Sequence, residues 1–268
     1  MRRLVHLSDL HFGRDRPELL APLLDAVNRL KPDLVAISGD LTQRARVDQF
    51  QGASAFIDQL QAPVLIVPGN HDVPLYNIFL RFLMPWRRYR KWISADLEPS
   101  HEDDEMIVVG VNTVDPWSVQ RGWFTPRAIR RVCSAFEGTR GRRARIVVAH
   151  HPMQHSAEDT KQLMRGAARA VDQLSACKAD IILSGHLHTW RAEPFAERAG
   201  RNTILQIHAG TGLSTRMRGE ANDFNLIDID GDSVIVCRYA VEGSSSDFAP
   251  TDTRTFELHP KGWRMRES

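Results

Sequence analysis

The chain has 268 residues, 42% hydrophobic and 25% charged, which is the composition of an ordinary globular protein long enough for one large core or two small ones. Its formal net charge of +2 supplies no overall field that would select nucleic acid or a membrane as partner. The basic start at Met1-Arg2-Arg3 is followed by His6, Ser8 and Asp9, which argues against a secretory leader, and no stretch has the length and purity of a membrane-spanning helix.

Strands and helices alternate through the first two thirds. Leu4 to Leu7 reads as a short buried strand, and Leu19, Leu20, Leu23, Leu24 and Val27 follow at helical spacing until Pro32. Leu34–Ile37 is a second strand, Val47 to Leu60 a helix and Val64–Val67 a third strand. Residues 75–95 form a basic, aromatic helical insertion, with Pro85 dividing it. Residues 98–105, rich in Asp and Glu, read as a solvated loop. A strand at 107–111, a helix at 127–136, a strand at 146–149, a helix near 161–177 and a strand at 181–183 complete the alternation. Beyond residue 190 the helical period disappears, and 204–207, 224–229, 234–239 and 253–258 read as strands, with a hairpin turn at Gly231-Asp232. We expect one domain over 1–268 containing two packed sheets. Cys133, Cys177 and Cys237 are far apart and lack CxxC spacing, which predicts free thiols, a reducing compartment and a cytoplasmic protein.

The metal-capable residues fall just past the carboxyl ends of five of these strands: Asp9-Leu10-His11, Gly39-Asp40, Gly69-Asn70-His71-Asp72, His150-His151-Pro152 and Gly185-His186-Leu187-His188. That edge of an open α/β sheet is where ligands collect. Any one of these clusters is equally a turn signal. Five in succession, each carrying Asp, Asn or His, are not explained by turns, because clustered imidazoles and carboxylates without a metal would have to satisfy one another.

In this order the five blocks resemble the signature of the calcineurin-like metallophosphoesterases. The later segment Ala209–Ser214 through Phe224-Asn225 resembles their bacterial class III cyclic-nucleotide phosphodiesterase branch. The resemblance implies a four-layer α/β/β/α sandwich of two mixed sheets flanked by helices, with the metal site at the carboxyl ends of the strands. It implies two divalent or mixed-valence ions. One would be held by Asp9, His11, Asp40 and His188, the other by Asp40, Asn70, His150 and His186, with Asp40 bridging. Imidazole and carboxylate without thiolate suit Mn, Fe, Zn or Co. The reaction implied is hydrolysis of a small phosphodiester, 3',5'-cyclic AMP-like in the leading case, by a metal-bound hydroxide.

His71 is implied to sit outside the ligand set, contacting phosphate or protonating the leaving oxygen. Asp72 either orients that imidazole or closes a backbone turn. His151, beside a ligand, packs or hydrogen-bonds behind it. Asn112 is a substrate or turn residue, His208 a substrate or core histidine. Arg216 and Arg218 are candidate phosphate contacts on a loop where most arginines are simply solvated. The stretch Phe79–Trp92 reads first as an insertion packing its aromatics on the core, then as a lid or homodimer surface, as a peripheral membrane contact, or as a nucleic-acid contact that the near-neutral charge disfavours. Alternative functions are hydrolysis of a lipid-linked pyrophosphate or diester at a membrane, nuclease activity, and a non-catalytic scaffold, against which the complete set of ligand types argues.

Overall fold

The computed structural model describes residues 1–137, 141–154, 161–195, 203–217, 219–243, 245–260 and 262–266. In the first sheet, β1 (Arg2–Leu7), β2 (Leu34–Ile37) and β3 (Val64–Ile66) run parallel. On its other side β1 pairs antiparallel with β10 (Asp223–Asp230), and β11 (Ser233–Val241), β12 (Phe248–His259) and β13 (Gly262–Met265) extend the sheet as a meander. In the second sheet, β5 (Met106–Val111), β6 (Ala144–Ala149), β7 (Ile181–Ser184) and β9 (Ile204–His208) run parallel. Its edges are the antiparallel β4 (Ser100–Glu102) and β8 (Arg191–Phe195). Both sheets are therefore mixed.

The two-residue period of each strand builds the layers. Val5, Leu7, Val35 and Ile37 face the helices α1 (Leu20–Leu30) and α2 (Val47–Ile57), meeting Leu23, Val27 and Phe50. Their neighbours Leu4, Leu34 and Ala36 point the other way, onto Val108, Ile146, Val148 and Leu183 of the second sheet. From that sheet Val109, Val111, Val147 and Ala149 turn outward onto Ile129 and Val132 of α5 (Pro126–Phe136) and Leu174 of α6 (Ala167–Ala176). Among the described residues, three apolar cores thus separate four layers, α/β/β/α. Strands buried on both faces read as unbroken apolar runs, which is why these were visible in the sequence.

Local chemistry fixes several boundaries. Thr125 caps α5 by accepting from the Ala128 N–H, with Pro126 at the first helical position. Gly231, in the left-handed region at φ 57°, opens the two-residue turn that joins Asp230 to Ser233.

Three expectations need correction. Residues 98–105 are not wholly loop, since Ser100–Glu102 adds an edge strand to β5, too short and polar to show a pattern. Cys133 and Cys177, expected as free thiols, form a disulfide between α5 and the end of α6, with Cα atoms 5.5 Å apart. The two helices pack side by side on one sheet face, a proximity that a sequence separation of 44 conceals. Only Cys237 is a free thiol, so the thiol argument for a reducing compartment no longer holds. Reduction is expected to cost about 2–4 kcal/mol of stability by freeing the unfolded chain. Thermal melts with and without reductant check this, and coincident curves would count against the pairing.

The third concerns the insertion. It forms two short helices, α3 (Ile78–Leu83) and α4 (Arg87–Trp92), broken around Pro85. Tyr89 packs inward as expected, edge-on to Phe50 with centroids 6.3 Å apart and its hydroxyl 3.3 Å from the Ile66 carbonyl. Phe79 instead stands in solvent, and Phe82 stays partly exposed.

Candidate metal centre

The five polar loops leave the same edge of the two packed sheets and converge. Asp9, His11, Asp40, Asn70, His150, His186 and His188 are all buried together. The backbone is bent to achieve this: Asp9, His11, Asp40, His186 and His188 all have φ between 51° and 70°, a left-handed region that non-glycine residues enter rarely and at a cost. Strain concentrated in this way is typical of functional sites.

Each carboxylate has one oxygen tied down and one presented to the cluster. Asp9 Oδ2 accepts from Ser8 Oγ at 2.7 Å and the His186 N–H at 2.9 Å. Its Oδ1 has no hydrogen-bond partner among the described residues, and it faces Nε2 of His188 at 3.1 Å and of His11 at 3.4 Å. Asp40 Oδ1 accepts from the His71 N–H at 2.8 Å, while Oδ2 lies 3.4 Å from His150 Nε2 and 3.7 Å from His11 Nε2. Asp40 Oδ2 therefore sits between two groups of imidazoles. Gly69 permits this approach, because a Cβ there would meet Asp40 N and Oδ1. Gly185 does the same for Ser8 Oγ and Asp9 Oδ2.

The imidazoles are aimed from behind. His150 Nδ1 lies 2.8 Å from the Ser38 carbonyl and His188 Nδ1 lies 2.9 Å from the Arg216 carbonyl. A carbonyl only accepts, so each Nδ1 carries a proton, and in the neutral ring each Nε2 turns a lone pair inward, the arrangement by which metal-binding histidines are oriented. On the other side His150 Nε2 is 3.2 Å from Asn70 Oδ1 and 3.2 Å from His186 Nδ1. Acceptors facing acceptors, including an orphaned buried carboxylate oxygen, are what a cation would satisfy. Asp9, His11 and His188 form one set able to hold a metal ion, and Asp9, Asp40 and His150 form another. The donor set thus fits two ions.

Without ions the cluster balances its own charge. Burial opposes ionisation of Asp40, yet the imidazoles of His150, His71 and His11 hold it well below the usual carboxylate range. Burial likewise opposes the charge on His150, but Asp40 raises it to about 9. Metal binding would displace that proton.

His151 also lies within ligand distance of His150 and His186. Its nitrogens are already committed, Nδ1 to Thr113 Oγ1 at 2.8 Å and Nε2 to the Gln120 carbonyl at 3.0 Å. It ties the loop after β5 to the centre from behind. Asp72 takes the backbone role of its two readings. Its oxygens accept from the N–H groups of Gly69, Leu41 and Thr42 and from Thr42 Oγ1, clamping the Asp40 loop to the Asn70 loop, and they do not touch the His71 imidazole. Burial, with Asp40 close by, raises its carboxyl to about 7 despite those donors.

His71 is held instead by residues that no local signal distinguished. Nδ1 lies 2.8 Å from the Gln43 carbonyl and 3.2 Å from Arg44 Nη1, and Nε2 lies 3.1 Å from Arg216 Nη1. Nothing local in the sequence marks Arg44, and Arg216 stands out there only for its charge. Asn112 makes an Asx turn, its Oδ1 accepting from the Val114 N–H. His208 is fully buried on β9 opposite Ser184, close enough to His6 to help lower the pKa of that imidazole, which burial lowers most. Arg218 lies outside the described residues. A cavity of about 280 Å³, lined by Ser118, Val119, Gln120, Arg121, Lys161 and His186, adjoins the centre.

Residues 2–190 match the family model for calcineurin-like phosphoesterases. The chain is 34% identical over 93 residues to the glycerophosphodiester phosphodiesterase GpdQ of Enterobacter lignolyticus (strain SCF1), a match covering 31% of this chain and 33% of that protein. It is 24% identical over 239 residues to a protein named probable cyclic nucleotide phosphodiesterase from Ruthia magnifica subsp. Calyptogena magnifica, covering 84% of this chain and 93% of that one. The purple acid phosphatase of yellow lupin (Lupinus luteus) seeds shares the fold, with a TM-score of 0.69 at 14% identity over 95% of this chain and 53% of its own. This chain thus spans a third of the first relative and about half of the plant protein. The match to the family model runs across all five polar loops and most of the length, and it makes the chain a member of the calcineurin-like phosphoesterase family.

Proposed function

We propose that the chain is a dinuclear metal-dependent phosphodiesterase acting on a small diester, with a cyclic nucleotide as the leading substrate. The observation that carries this reading is Asp40 Oδ2 placed between two sets of inward-facing imidazoles. When bound, two divalent ions supply Lewis acidity and a nucleophile at neutral pH. Asp9, His11, Asp40 and His188 would hold one ion, and Asp40, Asn70, His150 and His186 the other. The chain's own groups do the rest. Asn70 would ligate through a neutral carbonyl, so the two carboxylates leave the centre with net positive charge toward a phosphate. Arg216 and Arg44, on either side of the His71 ring, add donors for phosphate oxygens. The cavity beside His186 gives space for the organic part of the ester.

The preference for a diester draws on the relatives named as phosphodiesterases. The test is hydrolysis of bis-(p-nitrophenyl) phosphate against the monoester by metal-loaded protein, followed by a panel of cyclic nucleotides. Chelated protein should be inactive and manganese should restore it. A monoester cleaved much faster than the diester would overturn the diester assignment. Protein that neither binds metal nor turns over would favour a scaffold. A second reading, a diester or pyrophosphate with an apolar tail, gains support from the exposed hydrophobic rim described below.

Arg216→Ala is expected to raise KM about 10- to 100-fold, the loss of one charge-assisted contact, while metal content stays unchanged. The separation is possible because the carbonyl of residue 216, not its side chain, orients His188. Elemental analysis alongside steady-state kinetics checks it.

A further inference from the structure

The insertion after the Gly-Asn-His-Asp loop exposes what a helical insertion normally hides. Phe79 is 79% exposed, Leu83 73% and, on the loop after β5, Trp117 78%. Tyr76, Ile78, Met84 and Val119 are also exposed. Large exposed apolar groups grouped in this way mark an interaction surface. We propose that this rim docks the metal-bearing edge of the protein on an anionic membrane surface.

The rim is built rather than loose. Arg81, buried, donates from Nε to the Pro116 carbonyl at 2.7 Å, from Nη1 to the Pro74 carbonyl at 3.1 Å and from Nη2 to the Ser118 carbonyl at 2.7 Å. These bonds pin α3 to the loop after β5, and the rings of Phe82 and Trp117 stack across the join with centroids 4.5 Å apart. The apolar groups are therefore held out together.

Charge selects the occupant. Between Val73 and Ala95 there is no acidic residue. Arg87, Arg90 and Lys91, all exposed, fall on one face of α4 at helical spacing, and the Arg87 N–H bonds to the carbonyl of exposed Met84. Aromatic and aliphatic groups beside cations suit a headgroup interface containing anionic lipid. A second copy of the chain fits less well, because a two-fold contact through this rim brings these cations toward their own copies. The rim also adjoins the metal centre. α3 begins seven residues after His71, and His151 ties the Thr113–Gln120 loop, which carries Trp117 and Val119, to its neighbour His150. The docked protein would face its centre toward the lipid surface. This inference goes beyond the diesterase reading and does not depend on which ester is cleaved.

The test is co-sedimentation of the full chain with vesicles of phosphatidylcholine alone and of equimolar phosphatidylcholine and phosphatidylglycerol, with sedimentation velocity on the protein alone. We expect binding to the anionic vesicles at least about tenfold tighter than to the neutral ones, and weakening in high salt. The Phe79→Glu/Leu83→Glu double variant should lose about tenfold or more, and Arg87→Glu/Arg90→Glu/Lys91→Glu should lose the preference for anionic lipid. All these side chains are exposed, so the variants should melt with the native protein. Failure of the native protein to bind either vesicle, or unchanged binding by the double variant, would overturn the proposal. So would a native dimer that the double variant dissociates and that binds no vesicle, since the rim would then be a contact between copies.

Discussion

Asp40→Asn is expected to give a folded protein that has lost most of its metal and whose diesterase turnover falls by at least about a thousandfold, the upper end of what removing one preorganised electrostatic group costs. The substitution is isosteric, and the Asn carbonyl can still accept from the His71 N–H at the position of Oδ1, so the loop should keep its course. The change falls on the other atom. Oδ2, 3.4 Å from His150 Nε2 and 3.7 Å from His11 Nε2, becomes either an uncharged acceptor or an NH₂ aimed at lone pairs. Disturbing a partner behind a ligand costs about 10–100-fold in metal affinity. Asp40 would serve both ions directly, so the loss should be larger and should affect both.

The metal-free protein gives an independent readout. His150, raised to about 9, contributes stability that is fully present below the ordinary histidine range and lost as pH rises through about 9. Asp40, held low, contributes the same attraction seen from the acid side, present above the ordinary carboxylate range and lost as pH falls below it. The Asn variant should lose most of this alkaline dependence, because His150 keeps only Asp9, the lesser of the two carboxylates that raise it. Elemental analysis, turnover and melts of chelated protein across pH read the three effects. Full metal content with full turnover would show that Asp40 does not join the two half-sites.

The parts of this molecule that were legible in sequence are those encoded by period and by position. Buried strands such as Ile146–Ala149 and Ile181–Leu183 announce themselves because both faces are covered, and the polar residues that follow them can only lie at the sheet edge. What was not legible depends on contacts between distant segments. Nothing near His150-His151 says which ring faces the centre. That is settled by Thr113 and Gln120, 38 and 31 residues away, which occupy His151. Arg216 meets His71 across 145 residues, and Asp72 looks like a catalytic partner of its neighbour until its bonds to Leu41 and Thr42 are seen. The aromatic insertion misled in a different way. Composition predicts burial for Phe79 and Phe82, but buried Arg81 has its donors occupied by three carbonyls and leaves its aromatic neighbours outside.

His71→Ala should keep both metals and lose about 10²–10⁴-fold in kcat, the range spanned by a positioned proton donor. The ring stands edge-on to His11 with centroids 5.0 Å apart, beside the cluster, but its nitrogens are engaged by groups that hold no metal. Nδ1 donates to the Gln43 carbonyl, so Nε2 is the accepting end, and it accepts from Arg216. Burial lowers the imidazole's pKa, His11 and Arg216 add to that, and Asp40 opposes it, so the ring is neutral near neutral pH. A substrate phosphate would change this balance. It would draw Arg216 onto its own oxygens and place negative charge beside Nε2, which favours the protonated ring. His71 would then hold a proton at Nε2 where the leaving oxygen departs, and kcat should fall on the alkaline side as that proton is lost. The alanine variant should lack this limb. His71→Gln separates the two roles assigned to the residue: it can still donate to phosphate and should recover KM, but it has no titratable proton and should leave kcat low. Recovery of both constants would reduce His71 to a phosphate contact, and loss of both metals in the alanine variant would place the ring among the ligands.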